Sequence, residues 1–258
     1  MSEYQYYEFI AIDAPLTEQQ QNEVTSLSLR TNVTANRAIF TYDHGEFRGN
    51  VEQLMSDYFD MMLYLASWGE KRLLIRVPLS LIDMSQVAQY CISEEIDHWK
   101  TKDQQKVVLD LNFADAEDNW VKGEGLLDKI SGIRTEIISN DYRVLYLTWL
   151  KAAKNALQLE DIEDDTLEPT IPSGLNQLTA SQQAFIKLMN IDENLIAVAA
   201  QHSTDDSGNS NLWEEQVKYL SDEDKTKFII KVLHGETNIT SLLKQHLRQI
   251  SPELQEKS

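Results

Sequence analysis

The residues best equipped for chemistry in this chain are three arginines, Arg37, Arg72 and Arg76, set in or beside runs of β-forming residues. Arg72 and Arg76 are four apart in RLLIRV, so the period of two along a strand puts both on one sheet face. Arg37 opens RAIFTY and joins them if its strand lies alongside. A guanidinium carries N–H donors in a rigid fork, so two or three on one face would hold a phosphate or a carboxylate. Trp68, just ahead of the Arg72 strand, completes the candidate ligand-binding set of Arg37, Arg72, Arg76 and Trp68. The competing expectation is that these arginines pair with the chain's own abundant carboxylates.

Other chemistry is weakly signalled. His44, His98, His202, His234 and His246 include no pair at the helical i, i+4 spacing with an intervening Glu that a zinc helix needs. Glu94, Glu95, Asp97 and His98 in EEIDHWK could hold a divalent ion only with ligands from a second element. They are expected to form a solvated acidic loop, and neither a metal nor a cofactor is predicted. Cys91 is the single cysteine, which excludes an internal disulfide, and it reads as a small buried hydrophobe. The phosphate-cradling GxxxxGK[ST] and GxGxxG patterns are absent, as is the GxSxG nucleophile elbow. Lys122-Gly123-Glu124-Gly125 sets an acid where phosphate would approach and reads as a loop before a helix. No catalytic residue is assigned, and the expectation leans away from an enzyme.

The elements that must position these residues are legible in part. Tyr6 to Ile12, Arg37 to Tyr42, Arg72 to Val77 and Lys106 to Phe113 are strand candidates by β-branched and aromatic content, the last with one wet face. Thr17, with Gln20 three residues on, has the pattern of a capping box and starts a helix to Leu29. Asp43 to Asn50 is a loop, and Asn50 caps a predicted helix over Val51 to Ser67, whose apolar residues recur at three and four. A short helix is predicted over Ser85 to Cys91. After Phe113 the pattern is helical throughout, over 126–138, 141–157, 179–189, 192–201, 211–219, 221–234 and 238–248. Ser203 to Ser210 is a loop by composition, and the acid-rich 160–174 segment, with Pro169, Pro172 and Gly174, reads as a linker. The expectation is an α+β fold in which a small sheet domain of four strands spans 1–115 and a helical domain spans 116–258.

With 42 Asp and Glu against 23 Lys and Arg in 258 residues, the formal net charge is −19. Residues 1–115 hold 18 of the acids and the remainder 24, so the acidity belongs to the whole surface. Direct binding to nucleic acid or an anionic membrane needs a basic footprint that this chain lacks. No apolar run approaches a membrane span, the longest being MMLYLA, and the first residues lack the basic and apolar regions of a secretory signal. A cytoplasmic protein is expected, with a protein partner steered by charge.

The segments YYEFIAID, DHGEFRGN, YFDMMLYLASWGEKRLLIRVP and IDENLIAVAAQHS together resemble a widespread bacterial family of uncharacterised proteins. Members of that family open with Tyr-Tyr-Glu-Phe, carry an aromatic-Gly-acid-Phe-basic-Gly loop, and place Trp-Gly before a strand with two arginines. Tyr6 to Phe9, Gly45 to Gly49, Trp68-Gly69, Arg72 and Arg76 match, whereas His44 stands where the family has Trp. The resemblance runs to about His202 and names no reaction. Genes for such proteins sit beside those for SWIM-type zinc-finger proteins, so the resemblance implies an accessory or assembly role with that kind of partner. The expected function is a non-enzymatic acidic adaptor or accessory subunit. The alternative is a small-ligand (phosphate or carboxylate) binding protein or enzyme that uses the arginine face.

Overall fold

A computed structural model describes residues 4–115, 122–159, 167–204, 217–234 and 239–250. Seven strands form one antiparallel sheet in the order β2-β3-β1-β4-β5-β7-β6. They are β1 (Gln5–Ile10), β2 (Thr31–Val33), β3 (Arg37–Tyr42), β4 (Met61–Ala66), β5 (Glu70–Pro78), β6 (Ile96–Lys100) and β7 (Lys106–Ala114). Helices α1 (Glu18–Thr25), α2 (Val51–Asp57) and α3 (Met84–Val87) interrupt the strands. Then follow α4 (Leu126–Ile130), α5 (Gly132–Ile138), α6 (Arg143–Leu159), α7 (Ala180–Met189), α8 (Glu193–His202), α9 (Asp222–Leu233) and α10 (Ile239–Ile250). The fold is thus mixed α+β, with the sheet first and most helices after it.

The sheet has two covered faces. On one, Tyr6, Met61, Leu63, Leu73, Ile75, Leu109 and Leu111 share a continuous apolar cluster with Leu127, Ile133, Tyr146, Trp149 and Phe185 of the later helices. On the other, Phe9, Phe40, Met62 and Leu74 pack with Val24 of α1 and Leu54 and Met55 of α2. The hydrophobic drive for burying so many large side chains is the main force holding helices to the sheet.

Local chemistry sets the ends of the elements. The expected capping box is present: Gln20 N–H donates to the Thr17 hydroxyl, and Thr17 N–H donates to the Gln20 side chain. Asn50 caps α2 by accepting from the backbone of Gln53 at 2.9 Å. Thr179 and Gln182 repeat the box at the start of α7. Gly69, at φ +95°, turns β4 into β5, a backbone conformation that glycine adopts without steric cost.

Three expectations are corrected. The helix predicted over Val51–Ser67 ends at Asp57, and Met61–Ala66 is a central strand with all six residues buried. A strand covered on both faces is apolar at every position, so its run imitates a helical stripe. Of the acidic loop expected at EEIDHWK, Glu94 and Glu95 lie in a turn, but Ile96–Lys100 is strand β6 at the edge of the sheet. An edge tolerates charge because one side stays open, and Asp97 Oδ1 accepts the His98 N–H at 2.7 Å, blunting that edge. With β2, these bring the expected four strands to seven. Third, the helix predicted over 126–138 is divided into α4 and α5 at Ser131, whose hydroxyl donates to the Asp128 carbonyl at 2.9 Å. The wet face expected of β7 is also partly closed, since Val108 is buried beside Leu74 with Trp99 packed on it. Of the acid-rich 160–174 segment, 160–166 lies outside the described residues, as do 205–210 of the predicted loop and 211–216 of the predicted helix.

Candidate functional site

The register decides what the arginines do. Arg37 pairs across to Ile10, Ile10 to Met61, and Met61 to Ile75. Side chains in one such row share a face, so Arg37 lies with Ile75 on the side of the later helices. Arg72 and Arg76 are offset by an odd number from Ile75 and lie on the opposite face. The structure therefore brings Arg72 and Arg76 to one face, as their spacing predicts, and sets Arg37 against the other. Strand order could not be read from the sequence, and it is strand order that separates them.

Each arginine is taken up by carboxylates of the chain. Arg72 grips Asp110 on β7 through two parallel bonds, Nε at 2.8 Å and Nη2 at 2.5 Å. Arg37 bonds to Asp128 of α4, and its Nη1 lies 2.7 Å from Glu8 Oε1. That second contact is an ion pair rather than a hydrogen bond, since Glu8 Oε1 receives no well-directed donor. Burial pushes the Glu8 carboxyl above its ordinary value, only partly offset by the Tyr6 hydroxyl and Arg37. Trp68 sits half exposed at the β4–β5 turn and donates its indole N–H to Glu70 at 3.1 Å.

Arg76 belongs to a larger buried assembly at one end of the sheet. Asp60, 1% exposed, accepts the backbone N–H groups of Ile12 and Asp13 on one oxygen, at 2.7 and 2.8 Å. Its other oxygen accepts Arg76 Nη2 at 2.8 Å and Nε at 3.2 Å. Arg134 enters from α5 and is equally buried. It donates Nε to the Arg76 carbonyl and Nη2 to Asp13, both at 2.7 Å, with Asp60 at 3.4 Å. Arg76 Nη1 spends its remaining capacity on the Ser56 carbonyl. Burial opposes the Asp60 charge, but Arg134 and Arg76 outweigh it and hold that carboxyl below its ordinary value. Lys106 lies 4.0 Å from Asp13 and is shifted down by burial and by the Arg76 charge. Any anion would have to displace aspartates that already satisfy these guanidiniums, and an incoming carboxylate or phosphate gains little over the groups in place.

A second buried knot has the same character. Lys71 and Lys151 both donate to Asp115, at 2.7 and 2.6 Å, and Lys151 also donates to the Met189 carbonyl at the end of α7. These contacts tie β5 and β7 to α6 and α7.

Sequence reasoning missed Asp60, because it fell inside the mispredicted helix, and Arg134, which is remote in sequence and carries no motif. It also gave Cys91 no partner, whereas the thiol Sγ lies 3.7 Å from His98 Nδ1. Burial, then Asp97, push that thiol up to about 11, so it is neutral and a poor nucleophile at neutral pH. Among the described residues, no three His, Cys, Asp or Glu side chains gather as a metal ion would require. No described helix is long and apolar enough to cross a membrane.

Among the described residues, one exposed apolar surface lies on α9. Ser221 caps it by accepting the Asp224 N–H at 3.0 Å, and three acids occupy its first turn, where the helix dipole favours them. Phe228 turns toward α10, its ring 5.7 Å from that of His246. Ile229, Ile230, Val232 and Leu233 are 60%, 45%, 61% and 78% exposed. Ile229, Ile230 and Leu233 recur at i, i+1 and i+4, which aligns them on one helix face. No protein-family model, curated protein or solved structure matches this chain at a significant level.

Proposed function

We propose that this chain is a non-enzymatic adaptor or accessory subunit that docks another protein on the exposed face of α9. The observation that carries the reading is the Ile229, Ile230, Val232, Leu233 patch. Single apolar residues scatter over any surface, but contiguous exposed groups on one helix mark interaction sites. A helix face read at i, i+1 and i+4 is suited to lie in, or receive, a complementary apolar groove. The formal charge of −19 favours a basic partner, because charge of this size steers encounter and repels acidic competitors. The SWIM-type zinc-finger protein implied by the family resemblance is the partner class to examine first.

Affinity capture from the source organism with the tagged chain, at low and moderate salt, tests the reading. The expected result is one stoichiometric protein whose yield falls as salt screens the charges. A chain recovered alone at both salts overturns it.

A further inference from the structure

Helices α4 and α7 pack side by side and leave a groove of about 370 Å³ between them. Its floor comes from Leu126 and Ile130 on α4 and from Ala184 and Leu188 on α7. Ala180 and Ala184 also line the slot, and a longer side chain at Ala184 would take up its space. Lys129 and Lys187 line the same groove, one from each helix. Among the described residues, neither has an ion pair, as is also true of Lys100, Lys102 and Lys227, whereas Arg37, Arg72, Arg76, Arg134 and Arg143 are bound to carboxylates. Both lysines sit in the last turn of their helices, where a cation complements the dipole. The dipole accounts for each lysine separately. It does not account for the two meeting at one apolar slot in a chain of formal net charge −19.

The chemistry of the groove selects its occupant. A bare anion gains nothing from an apolar floor, and a cationic or neutral apolar molecule gains nothing from two lysines. We propose that the α4–α7 groove binds a medium-chain acyl carboxylate, its chain on Leu126, Ile130, Ala184 and Leu188 and its carboxylate answered by Lys129 and Lys187. The volume lies near the lower end of the roughly 300–1,000 Å³ usual for small-ligand sites, which favours a chain of medium length. This inference is independent of the adaptor reading, since the groove and the α9 face are separate surfaces.

The test is titration of the full, isotopically labelled chain with sodium decanoate below its micelle concentration, followed by amide chemical shifts. Decyltrimethylammonium and acetate serve as probes of charge alone reversed and chain alone removed. Decanoate is expected to give saturable shifts over residues 126–130 and 183–188, and acetate none. The Lys129→Glu/Lys187→Glu variant should weaken decanoate about tenfold or more, equivalent to about 1.4 kcal/mol, with an unchanged melting temperature. Ala184→Leu, with both lysines intact, should also abolish the shifts. The proposal is overturned by the absence of saturable shifts, by shifts centred on α9, by equal affinity for the ammonium amphiphile, or by full decanoate affinity in the lysine variant.

Discussion

The Asp60 end of the sheet and the outer face of α9 are opposite solutions to the same accounting of contacts. At Asp60, five donors converge on one buried carboxylate, and the two guanidiniums that supply three of them bond to further partners as well. On α9, four aliphatic side chains are exposed, at 45–78%. Charged residues attract attention in a sequence as candidate binding groups, yet here Arg37, Arg72 and Arg76 are engaged by the fold's own carboxylates, while the aliphatic residues of α9 remain exposed. Binding potential lies in what a structure leaves unsatisfied, not in which residue types it contains.

The sharpest way to break this contrast is at Asp60. Asp60→Ala should destabilise by about 3–5 kcal/mol in chemical denaturation, because it strands Arg76 and Arg134 in the interior without their shared anion. A loss under 1 kcal/mol would mean the assembly is wet and open to ligands. The same carboxyl has a pH signature. Its folded value lies below its unfolded one, so it contributes stability above about pH 4 that is lost as pH falls through the folded value. Asp60→Asn should therefore flatten the acid limb of the stability curve.

Glu8 has the opposite sign. Its folded value is raised, so the fold prefers the protonated form and pays for the charge at neutral pH. Wild type should gain stability relative to Glu8→Gln as pH falls through the raised folded value toward the ordinary carboxylate range, by no more than about 1.4 kcal/mol per pH unit. A difference that does not change with pH would place Glu8 in water. Arg72→Ala is expected to cost less than Asp60→Ala, about 1–2 kcal/mol, since its pair with Asp110 is partly exposed. Phosphate should not stabilise the wild type against heat, and a phosphate response lost in Arg72→Ala would restore the arginine face as a ligand site. The smallest effect on the fold is expected from Ile229→Glu/Leu233→Glu, within about 0.5 kcal/mol, as for exposed positions in general.

Much of this was legible from local chemistry. Thr17 with Gln20 and Asn50 mark element ends because capping acts within a turn of the chain. Four strands were readable because β1, β3, β5 and β7 combine aromatic and β-branched residues with clear breaks. Strand β4 was not, because complete burial erases the period of two, and β6 was not, because an edge strand can be as charged as a loop. The arginine face was half legible. Spacing within β5 fixes Arg72 relative to Arg76, but the side taken by Arg37 depends on pairing through β1 and β4. The contact of Arg134 with Asp13 spans 121 residues and leaves no local trace. Phe228, Ile229, Ile230, Val232 and Leu233 stand close together in the sequence, but the exposure of the last four is a tertiary property.

The most direct test of the adaptor account is a calorimetric titration of the captured partner, once purified, into the wild-type chain and into Ile229→Glu/Leu233→Glu. The account predicts saturable, salt-sensitive binding by wild type and a loss of at least about tenfold in the variant, with both chains equally folded. Equal affinity for the two chains would contradict it and move the docking surface away from α9.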